Sequence, residues 1–389
     1  MHSTKDFSAL LFDPFAPAPL TVPYAVNLTA ATTAKMRAAY QAMLAGTRNM
    51  SVAIMGDSTE RGVDEGAVPY NSQYPQSLAE QMAKVFRASG IPAGANNWYG
   101  ISGNNFNDYM IRDGRCAATG SATSGVTAVP CQGGSELEFP TAAGTFSFTP
   151  QQNTNTADIY FQDSATGRSF TYSVDGGATT QVNTTGANTI VKATIPLGAV
   201  GPHTVTLAWV AGFVRIYGID CYDNTRKEVS IRQWAISGGT ASQMIDDTGA
   251  PSSGRLRQLA LFPPDVVIGD LGLVNSWRAN IAVATVKAQC ETLIDAVKAA
   301  GADFIFAEPP FDSGSAGNTA AQQDYVDAVN ASCIAKGCAI FKTRQALYSK
   351  AAADSAGYMR PSDAVHYTIA GQAFRAVLLN PLFRYGMGL

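Results

Sequence analysis

Strand-like apolar runs alternate with helical spacing at both ends of this chain, and a long central stretch breaks the alternation. The first run, "MSVAIMGDS" at 50–58, reads as a short buried strand. The segment 74–90 follows as an amphipathic helix that stops at Gly90. The rhythm resumes after 223, with strands in "EVSIRQWAISGG", "DVVIGDLG", "ADFIFAEPP" and "CAIFKTR" separated by helical segments, and with a last helix after His366. Such alternation predicts a parallel sheet covered by helices on both faces. Between about 105 and 223 the chain is instead rich in Thr, Ser, Gly and Asn, and six runs from "GTFSFTP" to "GFVRIYGIDCYD" read as strands. The "DGG" at 175–177 marks a hairpin. Strands at this spacing predict a β-sandwich set into a loop of the α/β fold. The expected organisation is a lead-in and helix over 1–48, an α/β domain over 49–104 and 224–389, and an inserted sandwich over 105–223.

Composition narrows the function classes. With 27 Lys and Arg against 30 Asp and Glu the net charge is −3, and no basic run advertises nucleic acid. No apolar stretch approaches a membrane span, and the first twenty residues lack the basic-then-apolar pattern of a signal peptide. Six cysteines form no CxxC pair, and three histidines are too few and scattered to complete a zinc site, so no metal or cofactor is expected. The short spacings predict a Cys333–Cys338 bridge and a Cys116–Cys131 bridge, with Cys221 and Cys290 unpaired or paired together. An even count in a low-charge chain points to an oxidising compartment, hence a secreted, periplasmic or surface protein.

In open α/β sheets the chemistry gathers at the carboxyl ends of the strands. Ser58 stands at the first of these ends, Gly238 at another, and Asn275 just past a third. A serine hydroxyl needs a base, and the base needs an orienting carboxylate. His2 lies at the terminus and His203 opens a strand of the central β stretch, which leaves His366, with Asp363 three residues earlier. Glycine-turn N–H groups and a side-chain amide are the usual donors to an oxyanion. Gly238 and Asn275 supply both types, with Asn280 as the alternative amide.

These blocks together resemble the SGNH hydrolases, the GDSL-type esterase and lipase superfamily. "GDS" at 56–58 is similar to the first block, "AISGGTAS" to the second, "GLVNSW" to the third and "DAVH" to the fifth. The resemblance covers about 50–103 and 226–385 and leaves out the central β stretch. It implies a flavodoxin-like three-layer α/β/α fold, Ser58 as nucleophile, Asp363 and His366 as its partners, and the N–H groups of Ser58 and Gly238 with the Asn275 amide as oxyanion donors. Two departures stand out: Thr59-Glu60-Arg61 where Leu or Ile follows the serine, and Ser276 where Asp is usual. The implied reaction is hydrolysis of acyl, above all acetyl, esters. An attached sandwich implies a carbohydrate or polysaccharide ester as substrate, and Tyr160, Phe161, Tyr172, Trp209 and Tyr217 are its aromatics, for sugar stacking or for core. A general short-chain esterase, an O-acyltransferase with the same triad, and a non-catalytic surface or virion binding module are the alternatives.

Overall fold

The computed structural model describes residues 22–62, 77–100, 114–124, 132–134, 136–140, 143–248, 253–314, 320–360 and 365–389. Seven strands form one sheet in the order Ala25–Val26, Ala339–Phe341, Asp303–Ala307, Val266–Gly269, Met50–Ile54, Val229–Gln233, Ala93–Gly94. All are parallel except Ala25–Val26, which pairs antiparallel at one edge. The chain enters the parallel sheet at Met50–Ile54, fills one side with Ala93–Gly94 and Val229–Gln233, then crosses to the other side with Val266–Gly269. The direction of winding therefore reverses at Met50–Ile54, and such a switch opens a crevice at the strand's carboxyl end. Ser58 follows that end.

Alternation along the strands builds the layers. Val52, Ile54, Ile231, Ile268 and Ile305 face a core shared with the helices Ala34–Leu44, Leu78–Ala88 and Ile369–Met387, which contribute Met36, Met82, Phe86, Leu379 and Phe383. Ala53, Val267, Phe304, Phe306 and Ile340 face the opposite core, covered by Arg255–Leu261, Val283–Ala299 and Gln322–Ala335 through Leu259, Leu293, Val297, Val326 and Val329. Each fully buried large apolar side chain contributes about 1.5–3 kcal/mol, so the two cores fix the register on which the crevice depends.

The central stretch forms two antiparallel sheets. One has the order Thr180–Thr185, Thr166–Val174, Val205–Ala211, Gly144–Phe148, Cys116–Gly120. The other has the order Thr189–Gly201, Thr154–Asp163, Val214–Tyr222, Leu137–Phe139, Thr123–Ser124, with Asn97–Tyr99 also paired to Val214–Tyr222. Phe146, Phe148, Phe170 and Leu207 of the first meet Ile159, Phe161, Ile195 and Ile216 of the second in one core. All six runs read as strands are strands, and Asp175 and Gly176 both take the positive φ that a tight hairpin requires. Asn97–Tyr99, ahead of residue 105, belongs to these sheets as well. Its pairing with Gly218–Asp220, and the bond from Cys221 N–H to Asn96 C=O at 2.8 Å, place the outgoing and returning chain side by side.

His203 serves this region. Nδ1 lies 2.7 Å from Asp175 Oδ2 and Nε2 lies 2.7 Å from the Ala199 carbonyl, two acceptors that together demand both ring protons. The Ala199 carbonyl and the Asp175 carboxylate raise the imidazole above its ordinary 6.5, while the Thr204 N–H and His203 lower Asp175 below 3.8. A raised histidine stabilises fully below its unfolded value and loses this as pH climbs through the folded one. A lowered aspartate stabilises fully above its unfolded value. Both contributions therefore coexist between about pH 4 and 6.5. Wild type should melt higher than His203→Ala in that window, and the gap should close at pH 8.5. A gap independent of pH in calorimetry would refute the charged clasp.

The cysteines correct the sequence reading. Cys333 and Cys338 are not bridged, whereas Cys221 and Cys290 are free, the first of the two alternatives expected for them. Cys333 closes the helix Gln322–Ala335 facing the core that holds Cys290, and Cys338 leads into the next strand. The loop between them is shut by the backbone, with Cys338 N–H on Cys333 C=O at 2.8 Å. Burial raises both thiols, Cys338 to about 11, so they pack as small apolar groups. Cys131, and with it the expected Cys116–Cys131 bridge, lies outside the described residues.

Candidate active site

The strand Met50–Ile54 runs through Met55 and Gly56 into a four-residue helix, Ser58–Arg61, with Asp57 as its cap accepting from Thr59 N–H at 2.9 Å. Gly56 is needed for close approach: a Cβ there would stand 2.3 Å from Asp270 Oδ1. The Asp270 carboxylate takes Asp57 N–H at 3.2 Å, Thr59 Oγ at 2.9 Å and Gly272 N–H at 2.9 Å. One buried acid thus joins the turn bearing Ser58 to the turn before Asn275. Burial, and then the Asp57 charge, pushes Asp270 upward, and burial lifts Glu60 to about 7.

His366 reaches Ser58 from the other end of the chain. Met359 and Tyr367 form an antiparallel bridge, and Arg360 N–H bonds His366 C=O at 3.0 Å. Thr368 then caps the C-terminal helix by accepting Gly371 N–H at 3.0 Å. Held between bridge and cap, His366 Nε2 lies 2.7 Å from Ser58 Oγ. Ser58 and His366 are both largely buried, each with 8% of its surface exposed. Asp363 lies outside the described residues.

The two oxyanion candidates stand on adjoining turns. Gly238 is exposed with φ +74°, and Asn275 lies in the short helix Leu273–Arg278. Gly272, at φ +72°, packs so tightly that a Cβ would sit 2.7 Å from Gly239 C=O. Ser276 clasps the same two turns: its hydroxyl accepts Ala241 N–H at 2.9 Å and donates to Gly272 C=O at 2.8 Å. The Asn275 Nδ2 is buried and makes no hydrogen bond among the described residues. Asn280 is exposed and ends this helix with φ +54°. His203 belongs to the β region and His2 lies outside the described residues.

The departures after Ser58 are all anchored. Thr59 binds Asp270. Glu60 pairs with Arg375 at 2.6 Å, and Arg61 Nη1 donates to Gly133 C=O at 2.8 Å and Ala235 C=O at 2.7 Å. Sequence reasoning missed these ties. Their one visible signal is Gln372 and Arg375, a polar pair three apart in the apolar run of the last helix. Among the described residues no group of three or more His, Cys, Asp or Glu side chains could hold a metal ion, and no helix is long and apolar enough to cross a membrane. Of the central aromatics, Tyr160, Phe161 and Tyr217 are buried, whereas Tyr172 and Trp209 keep part of their surface in solvent.

No protein-family model matches the chain, and no curated protein matches it in sequence. Solved structures do. A peptidoglycan O-acetylesterase aligns over 94% of this chain and 99% of its own, with 15% identity and a TM-score of 0.66. A family two carbohydrate esterase from Cellvibrio japonicus aligns over 71% of this chain and 96% of its own at 13% identity and a TM-score of 0.29. One from Corynascus thermopiles, with a carbohydrate-binding domain, aligns over 70% and 100% at 14% identity and 0.31. Scores of that size carry no argument, and the first likeness speaks to the fold. The chain has a three-layer α/β/α fold similar to that of this O-acetylesterase structure, with two antiparallel sheets packed together alongside it.

Proposed function

We propose that this chain is a serine esterase that removes acyl, above all acetyl, groups from the hydroxyls of a carbohydrate polymer. The observation that carries the reading is the 2.7 Å contact between Ser58 Oγ and His366 Nε2 at the switch point of the sheet. His366 takes the Ser58 proton as Oγ attacks the ester carbonyl. The Ser58 N–H, the Gly238 N–H and the Asn275 amide receive the negative charge on the former carbonyl oxygen. His366 gives its proton to the departing sugar hydroxyl. Water, deprotonated by the same imidazole, then releases acetate and restores the serine. Asp363, three residues before His366, is the group assigned to orient the imidazole and stabilise its charged form.

The substrate class rests on the domain arrangement, read as an α/β domain over 49–104 and 224–389 with an insertion over 105–223. The adjacency of outgoing and returning strands supports the insertion. Its segment 132–134 reaches the nucleophile helix through the bond from Arg61 to Gly133, which supports a sandwich standing beside the crevice, in reach of a bound polymer. A location outside the cytoplasm follows from that substrate and no longer from the cysteines.

The test is a panel of O-acetylated polysaccharides, short-chain aryl esters and a fluorophosphonate. Covalent labelling confined to Ser58, with acetate released faster from the polymer than from acetylated monosaccharides, is the expected outcome. Labelling with aryl esters as the only substrates would replace the polymer reading with a general esterase. Acetyl transfer to an added sugar in preference to water would identify a transferase. No labelling at all would leave a binding module on a hydrolase fold.

A further inference from the structure

Two buried groups join the element that carries the nucleophile to the element that carries the base, without passing through the reactive contact. Glu60 sits two residues after Ser58 on the same helix. Arg375 sits on the C-terminal helix Ile369–Met387, which begins three residues after His366. Arg375 Nη2 meets Glu60 Oε1 at 2.6 Å, with side-chain exposures of 1% and 0%. The Arg375 guanidinium also lies over the ring of Tyr367, next in chain to His366, at 4.6 Å from its centre. One turn earlier, Gln372 Nε2 donates to Thr59 C=O at 2.7 Å, and its Oε1 accepts from Arg375 Nη1 at 3.3 Å.

A four-residue helix has almost no stability of its own, so what packs against it fixes where Ser58 points. An ion pair this deep is a poor way to gain stability, because apolar side chains of similar volume serve as well or better. What the pair supplies is direction. The planar guanidinium holds Glu60, Gln372 and the Tyr367 face at set angles, so the nucleophile helix and the base-bearing segment are clamped to one part. The charge inventory agrees. Asp57, Glu60 and Asp270 are all buried here, and Arg375 is the cation that acts on both Glu60 and Asp270.

We infer that Glu60 and Arg375 are positioning residues that hold Ser58 at proton-transfer distance from His366. The inference rests on the esterase reading, and its test separates the two. Wild type, Glu60→Gln, Arg375→Met and the apolar pair Glu60→Leu/Arg375→Met are compared for melting temperature, kcat and KM on an aryl acetate, rate of fluorophosphonate labelling, and the nitrogen NMR shift of His366 Nε2. Each single variant should melt lower and turn over slower. The apolar pair should recover most of the melting temperature, while kcat and labelling stay about 10- to 100-fold below wild type with little change in KM. Its His366 Nε2 shift should move toward that of Ser58→Ala, which has lost the contact outright. An apolar pair that is as stable and as fast as wild type, with an unmoved shift, overturns the clamp. Should that pair fail to fold, Glu60→Gln decides, since it keeps the shape and loses the charge; wild-type kcat and shift there overturn it too. A wild type that neither hydrolyses esters nor takes the probe sinks the esterase reading instead, and the His366 shift then judges the clamp alone.

Discussion

Alanine in place of Ser58 or of His366 should lower ester turnover by about 10⁴- to 10⁶-fold, with circular dichroism and melting temperature close to wild type. The upper figure corresponds to about 8 kcal/mol of lost transition-state stabilisation. That is more than one hydrogen bond supplies, because nucleophile and base are one device: without the base the hydroxyl keeps its proton, and without the hydroxyl the base has nothing to activate. The double variant should consequently be no slower than either single one. His203→Ala is the matched control. Its ring is spent on Asp175 and Ala199 in the β region, so its turnover should equal wild type. A dead His203→Ala beside an active His366→Ala would dismantle the assignment of the base.

The candidate site was legible in the sequence where chain order and strand ends place reactive side chains. Ser58, Gly238 and Asn275 each follow a buried strand of the parallel sheet, and buried strands are readable as apolar runs. His366 was reachable by elimination because the chain holds three histidines. Central strands such as Gly144–Phe148 were legible because their alternation matches a half-buried sheet, and the hairpin because Asp-Gly accepts positive φ. Illegible were Ala93–Gly94 and Asn97–Tyr99, too short to show a period, and Cys116–Gly120, whose "CAATG" has none of the bulky β-formers. Also hidden were the ties beneath the nucleophile. Glu60 and Arg375 stand 315 residues apart, and Thr59 and Asp270 stand 211 apart. No local pattern encodes such pairs, so Thr59, Glu60 and Ser276 registered as departures from a family block, where the fold shows each with a buried partner. The Cys333–Cys338 spacing misled for a related reason. Sequence separation sets how far apart two sulfurs can be, but the helix end and the backbone bond between the two residues decide where they point.

Asn275→Ala should lower kcat by about 10²- to 10³-fold and leave KM within a few-fold. The amide meets full negative charge only in the transition state, so its removal costs little in the ground state. The buried Nδ2, unbonded among the described residues, makes the prediction sharper. Buried donors without a partner are uncommon, and each costs about 1–3 kcal/mol in a resting protein. An Asn kept for structure would be bonded, and its truncation would lower the melting temperature. Here the substitution removes an unpaired polar group, so the melting temperature should hold or rise while turnover collapses. That opposition between stability and rate is the signature of a group whose partner arrives with the reaction. Asn275→Asp is the severer test, because a carboxylate of similar size would repel the developing charge and should be slower still. Asn280, exposed at the helix end, should tolerate glycine with no loss of rate, since its backbone already takes positive φ. A variant at Asn280 that loses turnover while Asn275→Ala stays fast would move the amide donor five residues along the chain. A loss of melting temperature in Asn275→Ala, in proportion to its loss of rate, would reduce Asn275 to a strut.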